Sequence, residues 1–215
     1  RFSPYYWDGI DDFALKYDPE KAKQLLDEID YKDRDGDGIR EDPKGNKISL
    51  ILNTNSGNSD REAIGELIAQ EAAAVGIDIT FKPEDFNALV TRLVSTHDWD
   101  MIIIGLPGSI DPVSGTNVYP SRGQYHMIEP RQESPRRDWE KLVDAAWDEA
   151  NLTLDDAQRK RGFEKVQRAW SEELPWAYTY NAAILHAYKN KWGNLYPQPS
   201  EGYDWEGILH RVYLK

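Results

Sequence analysis

Residues 47–81, KISLILNTNSGNSDREAIGELIAQEAAAVGIDITF, decide the fold class. Lys47-Ile48-Ser49-Leu50-Ile51-Leu52 is an aliphatic, β-branched run that reads as a strand. Ser59-Asp60-Arg61-Glu62 fits a capping box, in which the first side chain and the fourth satisfy each other's backbone N–H groups. It predicts a helix with Ala63, Ile64, Leu67 and Ile68 on one face, stopping near Gly76. Ile77-Asp78-Ile79-Thr80-Phe81 then reads as a second strand. Two strands separated by a helix of this length require a crossover connection, and therefore parallel pairing with right-handed hand.

The same pattern continues outward on both sides. Upstream, Asp18 is a good N-cap with Pro19 at the first helical position, and Ala22, Leu25, Leu26 and Ile29 share a face. Downstream, a helix over 86–94 and a strand over 99–104 complete an α/β core spanning residues 18–106. Residues 107–136 hold five Pro and three Gly with no sustained period. A segment that long without its own elements is characteristic of a functional loop. Beyond it, Trp139, Leu142, Val143, Ala146, Trp147 and Ala150 recur at helical spacing. Thr153 is placed to cap a second helix with the stripe Phe163, Val166 and Trp170. Strands are expected over 176–180, 184–188 and 208–214. The tryptophans on helical stripes, Trp139, Trp147 and Trp170, are expected in the core. Tyr119, Tyr125, Trp176, Trp192, Tyr196, Tyr203 and Trp205 fall in loops or near strand ends, where a ring serves packing, an interface or a stacked ligand.

Composition removes several classes of function. The 215-residue chain carries 38 acidic against 26 basic side chains, a net charge of -12 with no Lys/Arg run, which argues against nucleic acid as a partner. With no cysteine there is no disulfide, no thiol nucleophile and no thiolate metal site. The longest apolar run, residues 101–107, is far shorter than the ~20 residues a membrane-crossing helix needs. The chain starts at Arg1 without a leader-like segment, and is expected to be a mature product or an excised piece.

The sharpest local motif is Asp33-Arg34-Asp35-Gly36-Asp37-Gly38-Ile39-Arg40-Glu41. Carboxylates at positions 1, 3 and 5, Gly at 6, the Ile39 carbonyl at 7 and an acid at 9 match the first part of an EF-hand calcium loop. Position 12 is Lys44 instead of a bidentate Glu, and Pro43 and Gly45 replace the following helix. Two readings stay open: a solvated acidic turn, or a structural Ca2+ held by Asp33, Asp35, Asp37, Ile39 and Glu41. His97, His126, His186 and His210 show no zinc spacing, no Ser lies in a G-x-S-x-G elbow, and no glycine-rich phosphate loop is present. Asp98 and Asp100 flank Trp99 at a strand start, where a solvated strand end is the simpler reading than a glycosidase pair.

Several segments together resemble a known family. They are residues 17–26, YDPEKAKQLL; Asp35-Gly36-Asp37-Gly38-Ile39-Arg40-Glu41; the strand at 48–52; and Arg61 leading a helix toward Gly76-Ile77. Trp99-Asp100-Met101-Ile102 with Asp111-Pro112, and Glu173-Leu174-Pro175-Trp176-Ala177-Tyr178, continue the resemblance in order. The family is the family 5 solute-binding proteins of ABC importers, receptors for oligopeptides, dipeptides, nickel complexes and some oligosaccharides. The resemblance implies an α/β, periplasmic-binding-protein-like type II lobe, with a mixed, mostly parallel sheet flanked by helices. It implies a crossover segment over 1–17, a second lobe over 18–190, and a C-terminal segment over 191–215 that returns toward a first lobe preceding this chain. The location implied is periplasmic or extracellular, with lipid anchoring in the full-length protein as a variant.

The mechanism implied is hinge closure, in which a peptide or oligosaccharide is trapped between two lobes and delivered to the ABC permease subunits. No catalytic step and no cofactor beyond the calcium reading is implied. In peptide-binding relatives an Asp four residues before the loop's Pro holds the ligand's α-amino group; Gly108 stands at that place here. A neutral ligand such as an oligosaccharide gains ground accordingly. The expected ligand wall is Ser109, Asp111, Asn117, Tyr119 and His126, with polar groups replacing the solute's water shell and Tyr119 stacking or donating. Two other classes compete: a carbohydrate hydrolase with a carboxylate pair, and a calcium-dependent interaction module organised by the acidic loop.

Overall fold

The computed structural model describes residues 3–106, 109–130, 132–180, 187, 189–195 and 212–215. The chain divides into two compact units, Ala14–Leu106 and a second made of Arg1–Phe13 with Pro107–Lys215. Among the described residues no helix is long and apolar enough to cross a membrane.

The unit Ala14–Leu106 is built on a three-stranded parallel sheet. β1 (Ser49–Asn55) lies centrally between β2 (Asp78–Glu84) and β3 (Met101–Ile102). β1 and β2 pair in parallel from Ser49 against Asp78 to Asn55 against Glu84. Pro83, which has no N–H to give a ladder, is tolerated because β2 is an edge strand. The strand expected over 99–104 contracts to two residues because a side chain substitutes for the ladder: Asp100 Oδ2 accepts from Ile51 N at 2.9 Å. Thr54 closes the inner end by donating its hydroxyl to Ile103 O at 3.0 Å. The fully buried Leu52 and Leu89 form the centre of this unit's core.

α1 (Pro19–Glu28) starts as expected, with Asp18 Oδ1 accepting from Lys21 N at 2.9 Å. Two residues of its expected apolar face remain open, Leu25 at 50% and Ile29 at 58% exposure. α2 (Ser59–Ala73) begins at the expected cap, Ser59, and is capped one residue earlier, by Asn58. Gly57, at φ 83°, turns the chain so that Asn58 is the extended residue, and its side chain accepts from Arg61 N at 3.0 Å. Glu62 still reaches back, now to Gly57 N at 2.7 Å. The face expected for α2 is also rotated: Gly65 is buried under the Phe81 ring, while Leu67 is 54% exposed. Only a residue without Cβ admits that ring so close to the helix backbone. α3 (Phe86–Thr91) is capped by Asp85 and passes into a π turn over Arg92–Thr96, which ends at His97 with φ 56°.

The second unit is organised by α4 (Asp138–Leu152) and α5 (Asp156–Glu173). The anticipated stripes make its core: Val143, Ala146, Trp147 and Ala150 meet Phe163, Val166, Ala169 and Trp170, with Tyr5, Tyr119, Trp139 and Trp176 around them. Leu142 alone of the expected α4 stripe faces out. Asp155, not Thr153, caps α5, accepting from Gln158 N at 2.7 Å, while Thr153 accepts from Asp155 N and ends α4. Leu174 turns left-handed at φ 45° and Pro175 follows, which stops α5. The strand expected over 176–180 is not formed. Trp176 instead seats its ring edge-on against Trp170 at 5.1 Å, so the segment follows the aromatic core and not a ladder. Of the strand expected over 184–188, all but Ala187 lies outside the described residues, as do Tyr196, Tyr203 and Trp205. β4 (Trp192–Gly193) pairs antiparallel with β5 (Tyr213–Leu214), the described end of the last expected strand.

Candidate functional site

Residues 109–130 are the main described part of the long segment 107–136 that the sequence singles out, and side chains of α4 and α5 hold them in place. Asp111 caps the 3₁₀ turn Pro112–Gly115, accepting from Val113 N at 3.0 Å. Both its oxygens also receive Arg159 Nη2, at 2.9 and 3.0 Å. The Arg159 guanidinium in turn lies 5.0 Å from the centre of the Tyr5 ring, so one cation anchors the start of the segment by charge and by ring contact. Further along, Ser121 donates both its N–H and its hydroxyl to Asp144 of α4, at 2.7 and 2.5 Å. Tyr125 N closes onto Asn117 O at 2.8 Å.

The buried centre of this scaffold is Glu140, in the first turn of α4 and 0% exposed. Its Oε2 accepts from Arg136 N and Arg137 N, both at 2.9 Å. Its Oε1 faces Arg137 Nη1 at 3.1 Å, Gln132 Nε2 at 3.4 Å and His126 Nε2 at 3.4 Å. Burial pushes the Glu140 carboxyl up, but the Arg137 and Arg136 amides, with His126 and Gln132, outweigh it and hold the group below its ordinary range. His126, 3% exposed, has its other ring nitrogen on Val118 O at 3.1 Å.

The five residues expected as a ligand wall therefore divide. Ser109 and Asn117 are exposed, and Asp111 is half-buried in its ion pair. Tyr119 lies inside the aromatic cluster, 5.0 Å from Trp170 and 5.5 Å from Trp147, where burial pushes its hydroxyl up. His126 is enclosed with Glu140. Gly108 lies outside the described residues. The chain thus presents a segment whose inward side chains fix its shape and whose outward ones, including half-exposed Tyr125, are turned to solvent. Sequence reading missed Glu140, Asp144 and Arg159. Glu140 and Arg159 carried a signal, since each is a charge falling beside an apolar helical stripe, which is tolerated only when a partner is buried with it.

The acidic loop belongs to the other unit. Gly36 and Gly38, at φ 82° and 92°, let it double back so that Asp33 accepts from both their N–H groups, at 2.7 and 2.9 Å. Asp35 accepts from Asp37 N and Asp37 from Ile39 N. One carboxylate oxygen from each of Asp33, Asp35, Asp37 and Glu41 lies within 4.8 Å of the others. Lys47 pairs with Asp35 at 2.9 Å and with Asp37, holding the Asp37 carboxyl low while its own ammonium is raised. Glu41 is 4% exposed and bridges Lys32 and Lys47 through its backbone. Next to it, Arg40 reaches Asp27 at 2.6 Å, Tyr31 O at 2.5 Å and Val75 O at 2.8 Å, tying the loop to the ends of α1 and α2. The open depression of about 590 Å³ beside it is lined by such already paired charges.

The sequence profile of the bacterial extracellular solute-binding proteins, family 5, matches residues 1–126. A probable ABC transporter-binding protein of Deinococcus radiodurans is 29% identical over 203 residues, 89% of this chain and 34% of that protein. The oligopeptide-binding protein AppA of Bacillus subtilis is 28% identical over 186 residues, 83% of this chain and 32% of that one. The chain thus spans about a third of the length of the curated relatives it matches. Among solved structures, a periplasmic oligopeptide-binding protein of Thermotoga maritima with mannohexaose bound superposes with TM-score 0.73 at 27% identity, over 98% of this chain and 42% of its own. AppA in complex with a nonapeptide superposes with TM-score 0.75 at 22% identity, over 99% and 40%. The fold is accordingly of the α/β, periplasmic-binding-protein-like type II kind. With more than half of its length matched by the profile, the chain belongs to the bacterial extracellular solute-binding proteins, family 5.

Proposed function

We propose that the chain is the second-lobe portion of the solute-binding component of an ABC importer, which traps a peptide or oligosaccharide by hinge closure and delivers it to the permease. The observation that carries this reading is the family match over residues 1–126, joined to a fold likeness over 98% of the chain to a receptor solved with a saccharide bound. In the full-length protein, residues 1–17 would be a crossover from the first lobe, 18–190 the second lobe and 191–215 the return. The location would be periplasmic or extracellular, with or without a lipid anchor. Ser109, Asp111, Asn117, Tyr119 and His126 would contribute the wall, with Ser109 and Asn117 as contacts and the other three setting its shape. Between the two ligand classes, Gly108 favours the oligosaccharide, because it supplies no carboxylate for a peptide ammonium.

The protein acts as a binder and not as a catalyst. In support of this, the acids that could mimic a glycosidase pair are occupied, Asp98 by Arg92 at 2.9 Å and Asp100 by Ile51 N. Any cation in the acidic loop is structural on this reading. Calorimetry on the full-length receptor with mannohexaose and with a nonapeptide tests the proposal. We expect saturable binding of one class by the receptor and at least tenfold weaker binding by residues 1–215 alone, because half of the wall is then missing. Micromolar or tighter binding by residues 1–215 alone, or no binding of either class by the folded receptor, would overturn it.

A further inference from the structure

We infer that the loop bearing Asp33, Asp35, Asp37 and Glu41 is a calcium site, in which Glu41 supplies a buried ligand and Lys47 is a resident counter-ion that the cation displaces.

Geometry favours the larger ion. Calcium–oxygen distances of about 2.3–2.6 Å allow ligand atoms on one ion to lie up to about 4.6–5.2 Å apart, whereas magnesium at about 2.0–2.1 Å allows only about 4.2 Å. The four carboxylate oxygens lie within 4.8 Å of one another. A span of that size is within the reach of ligands on calcium and beyond that of ligands on magnesium.

A second, independent observation is the state of Glu41. Its side chain is almost fully buried, and Oε2 accepts from Arg34 N at 2.7 Å. Oε1 is also buried yet has no hydrogen-bond partner. A buried carboxylate oxygen without a partner is costly, and a backbone held on both sides by bridges to Lys32 and Lys47 prevents Glu41 from swinging out to water. The Glu41 carboxylate lies in the acidic cluster, where the other three side chains are acceptors only, so a cation there is the kind of group that would satisfy it.

Lys47 meets part of that need. Its ammonium touches Asp35 and Asp37 and leaves Glu41 Oε1 unpartnered. The lysine is 40% exposed, so it can withdraw into water at little cost. A dication would serve all four carboxylates where the lysine serves two. The sequence departs from a 12-residue EF-hand loop because Lys44 stands at its last ligand position; here every carboxylate ligand lies within residues 33–41 and Glu41 takes the buried role. Through adjacent Arg40, the ion would stiffen the junction of the loop with the ends of α1 and α2.

The test is titration of the whole chain with calcium or magnesium, followed by calorimetry and thermal unfolding. It uses the wild type, Lys47→Met and Glu41→Gln. We expect calcium binding with Kd on the order of 10⁻⁴ M, in the range of extracellular calcium modules, with a rise in Tm that magnesium at equal concentration does not match. Lys47→Met should bind calcium at least tenfold more tightly, because no resident cation has to leave, and Glu41→Gln at least tenfold more weakly. Should Glu41→Gln fail to fold, the exposed ligand variant Asp35→Asn carries the same expectation. Unchanged heat and Tm through ~10 mM calcium, well above that range, would overturn the inference. So would equal effects of magnesium, or Lys47→Met binding calcium no more tightly than the wild type.

Discussion

Glu140→Gln probes the polar centre that shapes the segment 109–130. The carboxylate is 0% exposed and takes five contacts, two of them from the backbone N–H groups of Arg136 and Arg137 that begin α4. A glutamine keeps one acceptor oxygen, and its NH₂ must then point at donors that previously met Oε1 or Oε2. Each buried donor left without an acceptor costs about 1–3 kcal/mol, and a lost helix cap about 1 kcal/mol. Two such donors give an expected loss of about 3 kcal/mol, which corresponds to a fall in Tm of roughly 6–12 °C for a chain of this size. Thermal unfolding followed by near-UV circular dichroism of the tryptophan cluster reads it. Lys141→Ala, one residue away in the exposed pair with Asp138, serves as the control and should leave Tm unchanged. The effect also has a pH signature. The folded protein holds the Glu140 carboxyl below its ordinary value of 4.5, so its contribution is fully present above that value and is lost as pH falls through the lower folded pKa. The gap between wild type and variant should therefore be constant near neutral pH and close progressively below about pH 4.5. A loss under about 1 kcal/mol at neutral pH, or a gap that does not narrow in acid, would refute the assignment of Glu140 as an ionised, fully engaged anchor.

Two further predictions concern the core of the same unit. A Cβ at Gly162 would lie 2.7 Å from Ala150 Cβ and 2.9 Å from Ala146 O, so Gly162→Val should force α4 and α5 apart and lose about 1–3 kcal/mol or more in urea unfolding. Trp170→Ala removes a ring that meets Tyr119, Trp139, Trp176 and His126 edge-on; about 3–5 kcal/mol of stability and most of the near-UV signal should go with it.

Much of the fold was legible because its signals are local. Asp18-Pro19 marks the start of α1 in the sequence and in the structure alike. The stripe of Val143, Ala146, Trp147 and Ala150 reports a buried face by spacing alone. Errors arose where a neighbour in space decided the outcome. The face of α2 turned because Phe81 needs the bare backbone at Gly65. β3 shortened because Asp100 supplies the acceptor for Ile51 N, and residues 176–180 left the sheet pattern because Trp176 finds Trp170. Caps shifted by one or two residues at Asn58 and Asp155, where adjacent side chains of nearly equal capping strength compete and the turn geometry chooses.

The candidate sites divide in the same way. The sequence by itself determined the parallel α/β order, the glycine turns and carboxylate spacing of residues 33–41, the absence of thiol chemistry and the family. These follow from residue type, short-range spacing and segment order. Only the tertiary structure decided that Glu41 is buried with one oxygen unpartnered, that Lys47 stands against Asp35 and Asp37, and that Arg159 holds Asp111. It alone decided that His126 and Glu140 enclose each other. Burial and the pairing of charges from separate elements depend on which surfaces meet after the chain has folded, and spacing along the chain carries no record of those distances.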